Sequence, residues 1–200
     1  MMPALNFVQY HRSAKKITNP GGKKAKWRRA PRNFVSSARR VHERTIPFAG
    51  TNTVLIQFNH RGLTEALKTH RVQLQFTGIR VLREDELNTT ALRATARAKT
   101  FFEAFWKGKR YFVEKPSIQT EVRVRCTCSD SFFRWNWWNF EEGTAFGPKP
   151  RKYQRKTRTA PSVNPEHNPG VCKHMVNSML LMETSGLLKP GSRSYKGLSA

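Results

Sequence analysis

All three cysteines of the chain lie in two short motifs that also contain one histidine. Cys126-Thr-Cys128 ends one apolar segment, and Cys172-Lys-His174 begins another. Three cysteines and one histidine are a standard ligand set for structural zinc. The long segment between the motifs is no obstacle, because the entropic cost of closing a loop rises slowly with its length. We therefore predict that Cys126, Cys128, Cys172 and His174 bind one structural Zn²⁺ and leave no coordination position open.

Other interpretations of these residues stay open. Buried free cysteines are common and chemically inert. Cys172 with His174 as its base is a conceivable catalytic pair, although the chain offers no obvious third member. His167 lies near Cys172 in the sequence and is an alternative fourth ligand, which we do not favour because His174 already completes the set.

The chain lacks common signatures of catalytic and nucleotide-binding sites. It has no glycine-rich phosphate loop, no H-E-x-x-H and no serine elbow. The acidic cluster Glu84-Asp85-Glu86 is expected to favour the dipole of a following helix rather than bind a metal, because consecutive side chains point in different directions. The sequence therefore predicts a non-enzymatic protein without a small-molecule substrate.

The chain carries a large excess of positive charge. Its 37 lysines and arginines stand against 13 acidic residues, which gives a net charge of +24. Because such a chain repels itself, the expected partner is a polyanion or an acidic protein surface. The odd number of cysteines argues against a disulfide framework and favours a reducing compartment. No long apolar run and no signal-like start are present, so we expect neither a membrane span nor a secretory signal.

Two basic segments each contain an aromatic residue. One lies in residues 1–45, where twelve lysines and arginines accompany a single acid, and the other lies between the two cysteine motifs. Lysine and arginine bind phosphates by releasing counterions, and an interleaved ring can stack on an unpaired base. Alternatively, these segments are solvated or thread between protein neighbours. The candidate contacts to nucleic acid or to a partner protein are Lys23, Lys24, Lys26, Trp27, Arg28, Arg29, Arg151, Lys152, Tyr153, Arg155, Lys156 and Arg158.

Hydrophobic patterns predict an α+β fold. We expect a helix over about residues 87–106, where good helix formers occur without Gly or Pro, and a shorter helix over residues 63–70. Gly108 predicts a turn. Strands are expected over the segments TVLIQF, RVQLQFTGIRVL, RYFVE and TEVRVRCTC.

The last of these strands places its cysteines on a buried face. Side chains alternate along a strand, so Val122, Val124, Cys126 and Cys128 are expected on one side. The aromatic segment FFRWNWWNF is predicted to return as a paired strand, with its rings in the core and at a subunit interface rather than in a platform for bases. A long loop then leads to a helix that begins near Cys172 and stops at Gly186.

The spacing of the four ligands resembles that of the SWIM-type zinc finger. Cys126-Thr-Cys128, a long spacer and Cys172-Lys-His174 match its C-x-C…C-x-H pattern over about residues 120–185. This resemblance implies a β-β-α layout and a link to DNA or protein binding, so it does not decide the partner. The segments CTCSDSFFRW and GVCKHMVNSML are also similar to those of small tailed-bacteriophage virion structural proteins.

Four regions are predicted along the chain. They are a basic extended N-terminal arm (1–45), an α+β core (46–119), a SWIM-like zinc module (120–186) with a long basic insert (141–170), and an irregular tail (187–200). The predicted function is a non-enzymatic, zinc-binding structural component of a large assembly. The resemblance implies a tailed-phage virion (head, neck, tail or baseplate), assembled in the host cytoplasm, with basic arms between subunits. The alternative is a DNA- or RNA-binding module that uses the arm and the insert on phosphates.

Overall fold

The computed structural model of the protein describes residues 5–6, 9–10, 42–61, 68–154, 164 and 167–189. Within them lie seven strands and four α-helices, with short 3₁₀ turns at Ala49–Thr51 and Glu84–Glu86. The elements are β1 (His42–Phe48), β2 (Thr53–Arg61), β3 (Thr69–Thr77), β4 (Val81–Arg83), α1 (Thr89–Arg97), β5 (Phe101–Trp106), β6 (Lys109–Glu114), β7 (Val122–Cys126), α2 (Ser129–Arg134), α3 (Asn136–Glu141) and α4 (Lys173–Thr184).

The strands form two antiparallel sheets, so the expected α+β class is confirmed. One sheet has the order β1-β2-β3-β7, and the other has the order β4-β6-β5. The predicted alternation of β7 is also correct as far as Cys126, because Val122, Val124 and Cys126 are buried while the arginines between them are not. Since β7 pairs with β3, the segment that carries the first cysteine motif shares a sheet with the strands of residues 46–119.

The helix α4 covers the apolar face of this sheet. Met175, Met179 and Met182 are fully buried in the same core as Val72 and Leu74 of β3. The helix begins directly after Cys172, whose backbone is extended, and ends before Gly186, which has a φ of +72°. Glycine reaches such left-handed angles without a steric penalty. The predicted helix after Gly170 and its stop at Gly186 are thus confirmed.

The helix predicted over about residues 87–106 is correct only in its first half. Asn88 caps α1 by accepting a hydrogen bond from the Ala91 N–H at 2.8 Å, but the helix ends at Arg97. Phe101–Trp106 is strand β5, which pairs with β6 across the two-residue loop Lys107-Gly108. Both loop residues have positive φ, as the tightest hairpin turns require. Four of the six residues of β5 are aromatic and favour a strand, so both propensity and pairing with β6 end the helix before this segment.

The return strand predicted over FFRWNWWNF is wrong, and the expected β-β-α layout is therefore not formed. The segment forms the short helices α2 and α3 instead. Cys128 does not continue the strand; it caps α2, and its Sγ accepts a hydrogen bond from the Ser131 N–H at 3.3 Å. Asn136 then ties the start of α3 back to β7 by donating to the Cys126 carbonyl at 3.2 Å. These local polar bonds favour helical turns over a paired strand.

Most of the predicted N-terminal arm lies outside the described residues, but both of its described ends are packed. Tyr10 is fully buried, and its hydroxyl donates to the Thr144 carbonyl at 2.8 Å. Its burial raises the pKa of the phenol well above the ordinary value. At the other end, residues 42–45 belong to β1. The short helix expected over residues 63–70 lies mainly outside the described residues, and its last two residues begin β3.

The acidic cluster lies in a 3₁₀ turn and faces cations rather than the start of α1. Glu84 binds Arg110 at 3.1 Å, Glu86 binds Arg83 at 3.1 Å, and Asp85 lies 3.7 Å from Lys109. The expected role at a helix dipole is thus replaced by surface ion pairs. Among the described residues, no helix combines the length and the apolar character needed to cross a membrane.

Candidate metal centre

Four side chains from three elements converge at the end of β7. Cys126 is the last residue of the strand, Cys128 caps α2, Cys172 caps α4, and His174 lies in the first turn of α4. All four are buried, and one ligand atom of each lies within 4.8 Å of the others. A tetrahedral zinc ion with bonds of about 2.0–2.3 Å requires ligand atoms about 3.5–3.8 Å apart. The cluster could therefore hold a single metal ion after a small contraction.

Backbone N–H groups already point at two of the sulfur atoms. The Cys126 Sγ accepts a hydrogen bond from the Cys128 N–H at 3.5 Å, and the Cys128 Sγ accepts the one from Ser131. The Cys126 Sγ also lies 3.9 Å from the Nδ1 of His174. Hydrogen bonds of this kind stabilise thiolates, which are the form in which cysteine binds metals. The backbone of the turn after β7 thus stabilises the thiolate form of Cys126 and Cys128.

The pKa values of the three buried thiols differ strongly from one another. A hydrogen bond from the Cys126 thiol holds the pKa of Cys128 far below its usual range, and the same bond raises the pKa of Cys126. Burial raises the pKa of Cys172 well above its ordinary value. A buried site therefore favours one thiolate at most unless a cation compensates the charge. A divalent ion would replace the remaining protons, as metal binding to thiols generally does.

A polar network of β2 and α4 holds the helix beside the ligands. The Ser178 hydroxyl donates to the His174 carbonyl at 3.0 Å and lies 2.7 Å from the Nε2 of His60. Since the hydroxyl proton is used, Nε2 of His60 must be the donor, and its Nδ1 accepts from Asn177 at 3.3 Å. Burial lowers the pKa of His60 to about 4, in keeping with this neutral form. The rings of His60 and His70 lie 5.7 and 4.7 Å from that of His174.

The sequence prediction did not assign His60 or His70 a role at this site. The alternation of β2 was the available signal, because it places His60 on the same face as the buried Val54, Ile56 and Phe58. A histidine at the end of a buried face has to find polar partners, and the ligand-bearing helix supplies them.

A second clamp positions the segment that leads into Cys172. The Asn139 side chain makes two hydrogen bonds to Gly170, accepting from its N–H at 2.7 Å and donating to its carbonyl at 2.9 Å. Asn164 donates to the carbonyls of Arg134 and Asn168 at 2.9 and 2.8 Å. Gly170 lies on the buried ring of Trp135, where an added Cβ would come within 2.4 Å of a ring carbon. The aromatic helices thus fix the second ligand pair relative to the first.

His167, the alternative ligand, does not belong to the cluster. Its ring stacks on Trp138 with centroids 3.8 Å apart and planes 13° from parallel. Among the described residues, the cluster that could hold a metal ion consists of the four residues that the spacing indicated.

Only three of the candidate residues for nucleic-acid or partner contact lie in the part of the chain that the structure describes. Arg151, Lys152 and Tyr153 are exposed, and they lie beside the aromatic helices rather than at the metal cluster. The other candidates lie outside the described residues: Lys23, Lys24, Lys26, Trp27, Arg28, Arg29, Arg155, Lys156 and Arg158.

Comparison with protein-family models, with curated proteins and with solved structures gives no match for this chain. The resemblance to SWIM-type zinc fingers and to phage virion proteins stays a prediction. The geometry of the four ligands is the observation on which a function can be argued.

Proposed function

We propose that the protein binds one Zn²⁺ through Cys126, Cys128, Cys172 and His174, and that this ion has a structural role. The convergence of all three cysteines with one histidine in a buried cluster carries the proposal. Thiolate and imidazole together suit zinc, whereas magnesium, calcium and manganese prefer oxygen ligands. Iron–sulfur clusters are mostly held by four thiolates, and this chain has only three cysteines.

The structural role follows from the completeness of the ligand set. Catalytic zinc sites usually have three protein ligands and keep the fourth position for water or substrate, whereas four protein ligands close the coordination sphere. Here all four ligands are 2 % exposed or less, so the site lies away from solvent. The ion would join the end of β7 to the start of α4 and hold the chain between them at its base.

We propose further that the protein is a non-enzymatic structural component of a large assembly, as the resemblance predicted from its cysteine segments to tailed-phage virion proteins would imply. Its net charge of +24 supports a permanent neighbour, because a free chain of this charge repels itself. Co-expressed with its neighbouring gene products, it should co-sediment with a particle in a fixed ratio. Recovery of the chain as a free monomer in every fraction would contradict this part.

Cobalt substitution tests the metal proposal. The full chain should take up one Co²⁺, with intense visible bands typical of tetrahedral coordination and a near-ultraviolet band from thiolate charge transfer. Addition of zinc should remove these bands, because zinc is preferred over cobalt by such ligands.

An added anion separates a structural site from a catalytic one. Excess azide should leave the cobalt spectrum unchanged, since no coordination position is free. A spectral shift with azide would indicate an open position and would contradict the structural role. Absence of any thiolate band would contradict the metal site itself.

A further inference from the structure

A lysine–aromatic face lies where α2 and α3 meet the segment that follows them. It consists of Phe133, Trp137, Trp138, Lys149, Arg151, Lys152 and Tyr153. It shares no residue with the metal cluster, and nothing in the proposed zinc role uses it. Its rings and ammonium groups are brought together by the fold, because the helices and the basic segment are separate in sequence.

The two lysines of this face are held over indole rings. The Nζ of Lys149 lies 4.8 Å from the ring centre of Trp137, and the Nζ of Lys152 lies 5.3 and 5.4 Å from those of Trp137 and Trp138. A cation over an aromatic face is attracted by the ring quadrupole, so the positions of both ammonium groups are restricted. This restriction lowers the entropy that the lysines lose when they bind an anion.

The positive charge of the face is only weakly neutralised. Lys149 lies 3.8 Å from Glu141, but both side chains are exposed, and exposed pairs of this kind are weak. Among the described residues, Lys152 and the neighbouring Arg151 have no ion-pair partner. Two exposed cations without an ion-pair partner among the described residues, Arg151 and Lys152, therefore lie next to Tyr153.

Two rings of the face are open to solvent. Phe133 is 43 % exposed and Tyr153 is 39 % exposed, and their ring centres lie 4.6 Å apart in an edge-to-face arrangement. Single exposed rings are ordinary on a protein surface, but these two lie against each other and form a contiguous apolar patch, the kind of feature found at surfaces that bind partners. Trp138 is less available, because His167 covers one of its faces.

We propose that the lysine–aromatic face binds single-stranded nucleic acid. Arg151 and Lys152 would contact phosphates, and an unpaired base would stack on Tyr153 beside Phe133. Cations alternating with open rings are the combination that proteins use for single strands, where every base offers a flat surface. A duplex buries its base faces, and an acidic peptide would use the cations but not the rings. The charge and the exposed rings together therefore favour a single strand.

Binding of a fluorescent oligothymidylate to the zinc-loaded full chain tests this proposal. Replacement Tyr153→Ala should weaken binding by about five- to 150-fold, the equivalent of one stacked base. The double replacement Arg151→Ala with Lys152→Ala should lower the slope of log affinity against log salt by about 0.7 for each phosphate that the variant no longer neutralises. Basic segments elsewhere in the chain add a constant background, so each variant is compared with the parent chain.

The matched control variants lie away from the lysine–aromatic face, on strand β5 and at the end of α1. Phe105→Ala removes a ring that is 69 % exposed, and Arg97→Ala with Lys99→Ala removes one arginine and one lysine that are also exposed. Neither control should reproduce the loss. Affinity for a duplex of the same length should change little in Tyr153→Ala. Zinc content is measured in every variant, which separates this proposal from the metal proposal.

Three outcomes would overturn the inference. One is that Tyr153→Ala and Phe105→Ala weaken oligothymidylate binding equally, or that neither variant weakens it. Another is an unchanged salt slope in the double variant. The third is a loss of affinity for polyglutamate that matches the loss for oligothymidylate in Tyr153→Ala, since this would indicate a surface for acidic protein.

Discussion

Cys172 both precedes the first turn of α4 and contributes a sulfur atom to the buried cluster. Its extended backbone starts α4, and its buried sulfur faces the two cysteines at the end of β7. Because burial alone makes the Cys172 thiolate costly, the position is favourable only as a neutral thiol or with a cation beside it. Three such sulfurs and one imidazole could therefore hold a metal ion, and this supports the proposed zinc site.

At Gly170, the contact with Trp135 predicts a strong effect of a small substitution. Gly170→Ala should lower the free energy of unfolding by about 1–3 kcal/mol, because its methyl group would overlap the buried indole. Denaturant unfolding of the metal-loaded chain measures this loss. As a control, Gly50→Ala adds the same methyl group where nothing lies within 4 Å, and it should change stability by less than about 0.5 kcal/mol. Equal stability of the two variants would show that Gly170 is not clamped as described.

Among the elements, the segment that follows α4 contacts strand β6 and the residues after it through Lys189. The Nζ of Lys189 lies 2.8 Å from the Glu114 carboxylate, and the Lys189 N–H donates to the Pro116 carbonyl at 2.9 Å. The hydrogen bond from Lys189 lowers the pKa of Glu114 below its ordinary value of 4.5. A folded-state pKa that is lowered stabilises the protein above the unfolded pKa, and this stabilisation is lost as the pH falls through the folded value.

Replacement Lys189→Ala should therefore have an effect that depends on pH. It should reduce stability by about 0.2–1 kcal/mol at neutral pH, the range for exposed ion pairs, because Glu114 loses its cation. The difference from the parent chain should vanish at a pH below the folded pKa of Glu114, where the carboxyl is protonated in both proteins. Combining Lys189→Ala with Glu114→Gln should cause no further loss at neutral pH. A loss that stays constant with pH would assign the effect to packing instead.

Several elements could be predicted from sequence because one local signal dominated. β2, β6 and β7 show apolar runs or strict alternation, and α4 has helical spacing and a glycine stop. The convergence of Cys126, Cys128, Cys172 and His174 could be predicted because the chain has no other cysteine. These signals agree with the tertiary environment, so no competing preference had to be weighed.

Three predicted elements were wrong in type or extent. RVQLQFTGIRVL was predicted as one strand, but it divides at Gly78, which has a φ of +69°, into β3 and β4 of different sheets. The helix predicted over residues 87–106 extended too far, because Phe101–Trp106 is rich in aromatic residues that favour a strand, and Lys107-Gly108 indicates the hairpin that β6 completes. The tryptophans after Cys128 favour a strand by propensity. That segment is helical because Cys128 caps α2, the Ser131 hydroxyl donates to Asn136, and Asn136 donates to the Cys126 carbonyl at the end of β7. The clamp of Asn139 on Gly170 likewise joins residues too distant in sequence for any local pattern to reveal.

For the whole molecule, the metal cluster lies where the first sheet, the aromatic helices and α4 meet. Among the described residues, one core contains Val72 of β3, Cys126 of β7, Trp135 between α2 and α3, and Met175 of α4. Loss of the ion should therefore destabilise more than a local loop. A strong chelator should lower the midpoint of thermal unfolding of the full chain, and excess zinc should restore it, because an ion that binds only the folded state stabilises it. An unchanged midpoint in chelator would mean that folding does not depend on the ion.

The central claim, a structural zinc ion in the buried cluster, is tested most directly by the zinc content of the purified full chain and of Cys172→Ser. We predict one zinc per chain for the parent protein and a large loss of zinc in the variant, together with reduced thermal stability. His167→Ala serves as the control, since its ring stacks on Trp138 outside the cluster, and it should retain zinc. A Cys172→Ser protein with unchanged zinc content and parental thermal stability would contradict the account.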